Sequence, residues 1–476
     1  MTVRSWITLL QERFLVFLPL IYLGYALPIV TAFALISPPF QAPDEFCHFF
    51  RVVQISEGHL FATRSPDPAA PLNNTSGGSI SSNAIWLAMD PTFQSLPFHS
   101  ETTFDSARAG HAHLFDKPWG DKVEFVSFPN TATYPFTCYL PAAAGLAIGR
   151  WTDLSILESY FLARLFNAFA SVIFSALAIH LVSRGKLIMA CILSLPMTLF
   201  LFSSLSQDAM LISYIALTVA FLNRYLDTPS AQRTLGGLGA VFFFFTLSII
   251  GRPPHLPFLL MGILFVSWGA RSVKAVIAMT GFTLAAIVAY LFSIKPLGYF
   301  VIPGVNPETQ KAFIFHHPIE MLSLTFKTIL DYSSNYFHNF IGTLGWLDYG
   351  LPEPFYPLVG CALVVALLSD FKFKDQGLPA WSRFAAVAFP VMVIMLIFVA
   401  LFIFDNSANV HIDGVQGRYF IPVALMFTLV MGNRDMGFNG DFRFQFARLL
   451  AGVISLAIII VTGFAACLAC LCRYYY

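Results

Sequence analysis

Residues 14–49 read FLVFLPLIYLGYALPIVTAFALISPPFQAPDEFCHF. The first part, 14–36, is an uninterrupted apolar run long enough to cross a hydrocarbon core as a helix. Within a few residues the chain then sets down Pro43, Asp44, Glu45 and His48. Polar and ionisable residues this close to lipid are costly, and their presence calls for a reason.

The rest of the chain repeats the apolar theme. It has 476 residues, of which 57% are hydrophobic and 11% charged, with a mean hydropathy of +0.71. Soluble domains carry about a quarter charged residues. The runs have helical rather than barrel length, so the expected fold is all-α and polytopic within one integral membrane domain, 1–476. The net charge of +1 offers no electrostatic footprint for a nucleic acid. The partner it does imply is the bilayer. The 51 phenylalanines suit lipid-facing and interhelical packing.

Spans are expected near 14–36, 157–181, 187–205, 209–226, 234–250, 254–270, 273–295, 355–369, 383–404, 419–432 and 447–470. That makes about eleven. The short apolar stretch 136–149 is read as a juxtamembrane element. With a cytoplasmic N-terminus, the short inner turns then hold Arg184 and Lys186, Arg224 and Arg233, Arg271 and Lys274, Lys372 and Lys374, and Arg434, Arg443 and Arg448. This satisfies the bias of basic residues toward the cytoplasm. Two large outer loops follow, 37–156 and 296–354. Within them, 44–58 and 318–341 read as interfacial helices, and 66–83, rich in Pro, Asn, Ser and Gly, as flexible loop. Asn73 and Asn74 begin glycosylation sequons, which would mean nothing if the chain is bacterial. Ala32-Phe33-Ala34 resembles a signal-peptidase site, but the run is long for a signal segment, so an uncleaved first helix is expected. Of the seven cysteines, Cys47 and Cys138 share an outer loop, where a disulfide between them is an open question. The CLACLC cluster has no zinc-type company.

This topology puts every unusual polar motif on one face. Pro43 suits the first helical turn, which would place Asp44 and Glu45 in that turn, with His48 and Arg51 at helical spacing behind them. A carboxylate beside a histidine is a workable general-base pair. Capping of an interfacial helix would explain the acids equally well. The company shifts the balance: Asp208 in SSLSQDA, Arg164 inside a span, and Arg252 and Arg418 at membrane boundaries. A guanidinium grips phosphate bidentately. Trp346 and Asp348 in GTLGWLD, and Asp413, Gln416 and Tyr419 in HIDGVQGRYF, complete the set. Asp44, His48, Asp208 and Asp413 would also serve as donors for a divalent metal ion. No nucleotide-binding loop, nucleophile elbow or HExxH motif is present.

The layout resembles the GT-C superfamily of membrane glycosyltransferases. More narrowly, the chain resembles an uncharacterised bacterial membrane-protein family grouped with that superfamily. The matching residues are PPFQAPDE (38–45) with His48, YLPAAAG (139–145), SSLSQDA (203–209), GTLGWLD (342–348) and GVQGRYFIP (414–422). The resemblance implies a polyprenyl-phosphate-linked sugar donor, a glycan or lipid acceptor, and catalysis at the outer face of the bacterial inner membrane. It casts Asp44 or Glu45, with His48, as the catalytic base, Asp44 preferred. It casts Arg164, Asp208, Arg252, Trp346, Asp348, Gln416, Arg418 and Tyr419 as substrate or phosphate contacts. Two other classes stay open: a glycolipid transporter or flippase, and a non-catalytic subunit of a polysaccharide assembly complex. Paired broken helices in two halves would favour transport, and no such symmetry is evident.

Overall fold

A computed structural model describes residues 3–65, 76–109, 114–268, 272–298, 301–302, 304–370, 380–405, 410–431 and 442–476. The sequons at Asn73 and Asn74, and the basic residues Arg271, Lys372, Lys374 and Arg434, lie outside these. The protein is an all-α polytopic membrane protein. Among the described residues, six helices are long and apolar enough to cross a membrane, and four further apolar helices are shorter.

The first helix, α1 (Val3–Ile36), runs unbroken through Ala32-Phe33-Ala34. Helix α2 (Glu45–Ser56) follows it after a short turn. The stretch read as juxtamembrane is α3 (Leu140–Trp151). Twelve residues rise only about 18 Å, too little to cross. It lies against α4 (Ile156–Leu181), and glycines set the distance. A Cβ on Gly145 would sit 2.8 Å from the Leu162 carbonyl, and one on Gly149 2.5 Å from Ser159 Oγ. Small residues let helix backbones approach this closely in membranes.

The expected span 187–205 is two short helices, α5 (Lys186–Leu193) and α6 (Pro196–Phe202). Pro196 has no N–H to donate and pushes its predecessor out of helical geometry. Leu195 accordingly takes ψ 143. Next comes α7 (Asp208–Asp227), whose apolar window is 89% buried, the most enclosed of the six. Against it pack α8 (Leu235–Gly251) and α9 (Leu256–Trp268), and α10 (Val273–Ile294) packs on those two. The second large loop contributes α11 (Pro318–Asp331) and α12 (Ser333–Ile341). The bundle closes with α13 (Phe355–Asp370), α14 (Ala380–Phe404), the short α15 (Ile421–Met426) and α16 (Phe442–Tyr475). Helix α10 exposes Val273, Ile277, Phe282, Val288 and Phe292, a surface that only lipid suits.

One expectation for the first loop needs correction. Residues 76–81, read as flexible loop, form a strand, and 82–88 a helix. The strand is the centre of a small antiparallel sheet: β1 (Thr63–Arg64), β2 (Ser76–Ser81) and β3 (Val123–Ser127). Gly77 faces Ser127 there, and a Cβ on it would fall 1.9 Å from the Val126 carbonyl. The glycine is thus a packing requirement, not a sign of looseness. Helix α2 is also covered by protein. Ten of its residues are buried, including Glu45, His48, Arg51 and Gln54. Arg51 is held by Gln54 Oε1 at 2.5 Å and the Leu60 carbonyl at 2.7 Å. Cys47 and Cys138 are both buried and both free, so the disulfide left open is not formed.

Candidate functional site

The turn before α2 separates Asp44 from Glu45. Asp44 is not inside the first helical turn: it precedes it, at φ 58 and ψ 15. Aspartate enters this left-handed region more readily than most residues. Its carbonyl still accepts from Cys47 N and His48 N, so the helix starts, while the two neighbouring side chains leave in different directions.

Glu45 points into the protein and is saturated. Oε1 accepts from Arg164 Nε at 2.9 Å and Leu205 N at 3.0 Å. Oε2 accepts from Arg164 Nη2 at 2.6 Å and Ala42 N at 3.2 Å. Arg164 spends its remaining donors on the carbonyls of Ala34, Ser37 and Pro38. Both side chains are essentially inaccessible. A guanidinium has five N–H groups, and all are taken. Arg164 therefore anchors the motif to α4, and the phosphate contact expected of it has no free donor to use.

Asp44 instead faces a polar cavity of about 40 Å³, lined by Asp44, His48, Asn130, Thr131, Tyr134, Ser206, Gln207, Asp208, Arg252, Arg418 and Tyr419. Its one side-chain partner among the described residues is Asn130, donating to Oδ1 at 3.1 Å. Across the cavity, Asp208 stands at the first residue of α7. Arg252 Nη2 donates to its Oδ1 at 2.8 Å, and Arg418 Nη1 lies 3.6 Å from Oδ2. That Nη1 is buried and has no hydrogen-bond partner among the described residues. Tyr419 lies under both guanidiniums, 4.5 Å from that of Arg252 and 5.4 Å from that of Arg418. A buried unpaired N–H costs free energy, so this position favours a hydrogen-bond acceptor.

His48 also lines the cavity, and its Nδ1 lies 2.8 Å from the Tyr139 hydroxyl. Burial pushes its imidazole down to about 4, against the pull of Asp44 and Asp208. It is neutral at pH 7 and contributes a hydrogen-bonding ring, not a charge.

Beside the polar cavity lies a larger one of about 530 Å³, which shares Tyr134, Arg252 and Tyr419 with it. Its walls are mostly apolar, from Ile250, Pro253, Pro254, Leu291, Ile294, Ile397, Leu401 and Phe404, with Lys311 at one side. Leu291 belongs to the exposed apolar surface. Six of the sequence-derived residues thus meet at one place: Asp44, His48, Asp208, Arg252, Arg418 and Tyr419. Trp346, Asp348 and Gln416 do not line the polar cavity. Asp348 serves the backbone, accepting from Trp346 N and Phe98 N, each at 3.0 Å. Asp413 is exposed and lines neither cavity.

A resident metal fits this donor set poorly. Among the described residues no three His, Cys, Asp or Glu side chains converge as ligands. Asp208, the best placed of the four candidates, already faces two guanidiniums, which repel a cation.

Two lining residues, and two titratable residues that line neither cavity, went unremarked in the sequence. Asn130 and Tyr134 come from FPNTATYP, where no helical period marks them. His255 is fully buried with neither ring nitrogen partnered among the described residues. Asp405 follows α14, and burial, then Asp44 and Asp413, push its carboxyl up to about 6. No local pattern distinguishes these from ordinary loop residues.

A family model described as predicted membrane protein (DUF2142) matches residues 27–427. The chain belongs to this family. The match spans α1 to α15 and so includes every residue of the polar cavity. No curated protein and no solved structure matches the chain.

Proposed function

We propose that this protein is a membrane glycosyltransferase of GT-C type. It takes a sugar from a polyprenyl-phosphate carrier at the outer face of the bacterial inner membrane and gives it to a cell-surface glycan or glycolipid. The observation that carries this reading is the opposition across one cavity of Asp44, with an available carboxylate, to Arg418, with an unpaired N–H. The adjoining apolar cavity supplies what a lipid carrier needs.

In this reading Asp44 takes the proton from an acceptor hydroxyl. The freed oxygen bonds to the anomeric carbon of the donor sugar from the face opposite the phosphate. The anomeric carbon–oxygen bond breaks, the electron pair leaves on the lipid phosphate, and the configuration inverts. Negative charge grows on that phosphate in the transition state, and Arg418 and Arg252 are placed to stabilise it. Asp208 holds the two guanidiniums in position. His48, being neutral, orients the cavity wall through Tyr139. Asp44 is preferred over Glu45 as base because each Glu45 oxygen already accepts two donors.

The test is transfer from radiolabelled polyprenyl-phosphate sugars to endogenous acceptors in membranes carrying wild type, Asp44→Asn or Glu45→Gln. Asp44→Asn should abolish transfer while the protein stays folded. Transfer at the wild-type rate by Asp44→Asn removes the base assignment, and movement of the carrier without a new glycosidic bond removes the enzyme reading.

A further inference from the structure

A third cavity, of about 430 Å³, is lined by Phe98, Asn335, His338, Asn339, Thr343, Trp346, Leu347, Gly414, Val415 and Gln416. Its volume falls in the range of roughly 300–1,000 Å³ usual for small-molecule sites. One contact joins it to the polar cavity: Gln416 Oε1 accepts from Arg418 Nε at 2.6 Å.

The lining chemistry is specific. It includes no arginine, lysine, aspartate or glutamate. It has three amides, and their hydrogen bonds leave valences open. Asn339 Nδ2 donates to Asn335 Oδ1 at 2.9 Å, which leaves the Asn339 carbonyl oxygen and the Asn335 NH2. Arg418 takes the Gln416 carbonyl oxygen, which leaves its NH2. Amides that both donate and accept suit hydroxyl groups. Two aromatic rings accompany them: Trp346, and Phe98 at 6.5 Å centroid distance and 69% exposed. Ring faces with negative quadrupoles suit the C–H faces of a pyranose.

The aromatic wall is held at the expense of backbone strain. Five non-glycine residues have positive φ among the described residues, and Phe40, Phe98 and Leu347 are three of them. Asp348 pins two of these segments through Phe98 N and Trp346 N. Phe40 uses its carbonyl to accept the Trp346 indole N–H at 3.0 Å. Such strain persists where surrounding contacts impose it, and it gathers at ligand sites.

We infer that this cavity binds neutral sugar residues of the acceptor, stacked on Trp346 and Phe98 and hydrogen-bonded by Asn335, Asn339 and Gln416. The acceptor role rests on the glycosyltransferase reading; the carbohydrate site does not. Gln416 joins the two functions, because it touches both the sugar cavity and the arginine proposed to face the phosphate. Uncharged hydroxyl-rich ligands are favoured over uronates and sugar phosphates, for which the lining offers no arginine or lysine.

The test is saturation-transfer NMR on the full chain in nanodiscs, with maltose, lactose and mannobiose as neutral probes and glucuronic acid and glucose 6-phosphate as charged ones. The neutral disaccharides should bind, and the charged sugars should bind no more tightly. Asn335→Leu and Trp346→Phe should each weaken the neutral signal about tenfold, the worth of one good contact. Asn335 is exposed, so its variant tests the cavity without unsettling the fold. Absence of neutral binding, neutral binding untouched by both variants, or tighter binding of the charged sugars overturns the inference. This readout does not pass through transfer, so its failure leaves the Asp44 assignment to its own assay. Inactivity of that assay likewise leaves the sugar site standing.

Discussion

Two acid–arginine constellations sit within the same end of this bundle, and they are built to opposite rules. In the first, Glu45 and Arg164 close on each other with four bonds to the carboxylate and five from the guanidinium. In the second, Asp208 is shared by Arg252 and Arg418, one contact is stretched to 3.6 Å, and an N–H is left over. The first excludes any ligand. The second lines a cavity with Asp44 opposite. Burial alone does not mark function, since both are buried; unfilled hydrogen-bonding capacity beside a cavity separates them.

This contrast can be broken experimentally. The largest effect is expected from Asp44→Asn. Loss of a general base costs about 10²–10⁴ in rate, with thermal stability within about 0.5 kcal/mol of wild type; transfer assays and melting curves on the same preparations check both halves. Glu45→Gln should do the reverse. It leaves the Arg164 charge buried without its partner, a loss of about 3–5 kcal/mol in stability. A double variant, Glu45→Gln with Arg164→Met, should recover part of it. If Glu45→Gln melts like wild type, the closed pair is not structural.

Arg418→Gln should fall next, with a drop of about 10²–10³ in transfer, as for removal of one transition-state donor. Arg418→Lys should recover little, since an ammonium lacks the forked geometry. Equal rates for Arg418→Gln and wild type would detach the second constellation from phosphate.

The smallest effect concerns pH. Burial lowers the folded-state His48 to about 4, against about 6.5 when unfolded. Between these values the unfolded chain binds more protons, so stability present above pH 6.5 is lost as pH falls toward 4. At pH 5.5 the loss is about 1 kcal/mol. Asp405, raised to about 6, acts in the opposite sense, losing stability as pH rises through that value. His48→Gln should therefore flatten the acid side of the melting-temperature profile relative to wild type, while Asp405→Asn steepens it.

Much of the architecture was legible in the chain. Each of the eleven expected spans corresponds to a helix or a run of short helices, because apolar length is a local property and the bilayer demands it. Where reading and structure differ, the cause is contact between distant segments. Residues 76–81 look like a loop by composition, yet pairing with 123–127 makes them a strand. Helix α2 has the mixed pattern of an interfacial helix, and the sheet and α3 cover it.

The site divides the same way. The acids after the first helix, the aspartate opening α7, and the arginines at membrane boundaries were visible as residue types in costly places. The sequence by itself determined that this is a helical membrane protein with ionisable groups held near lipid, since hydropathy and helix length follow from composition and spacing. Only the tertiary structure separated the surroundings of adjacent Asp44 and Glu45, one lining a cavity and the other saturated by buried donors. That separation depends on Arg164, which is 119 positions from Glu45, and on Arg252 and Arg418 meeting at Asp208. Hydrogen bonds act over about 3 Å, and no local pattern records which far segment will supply the partner.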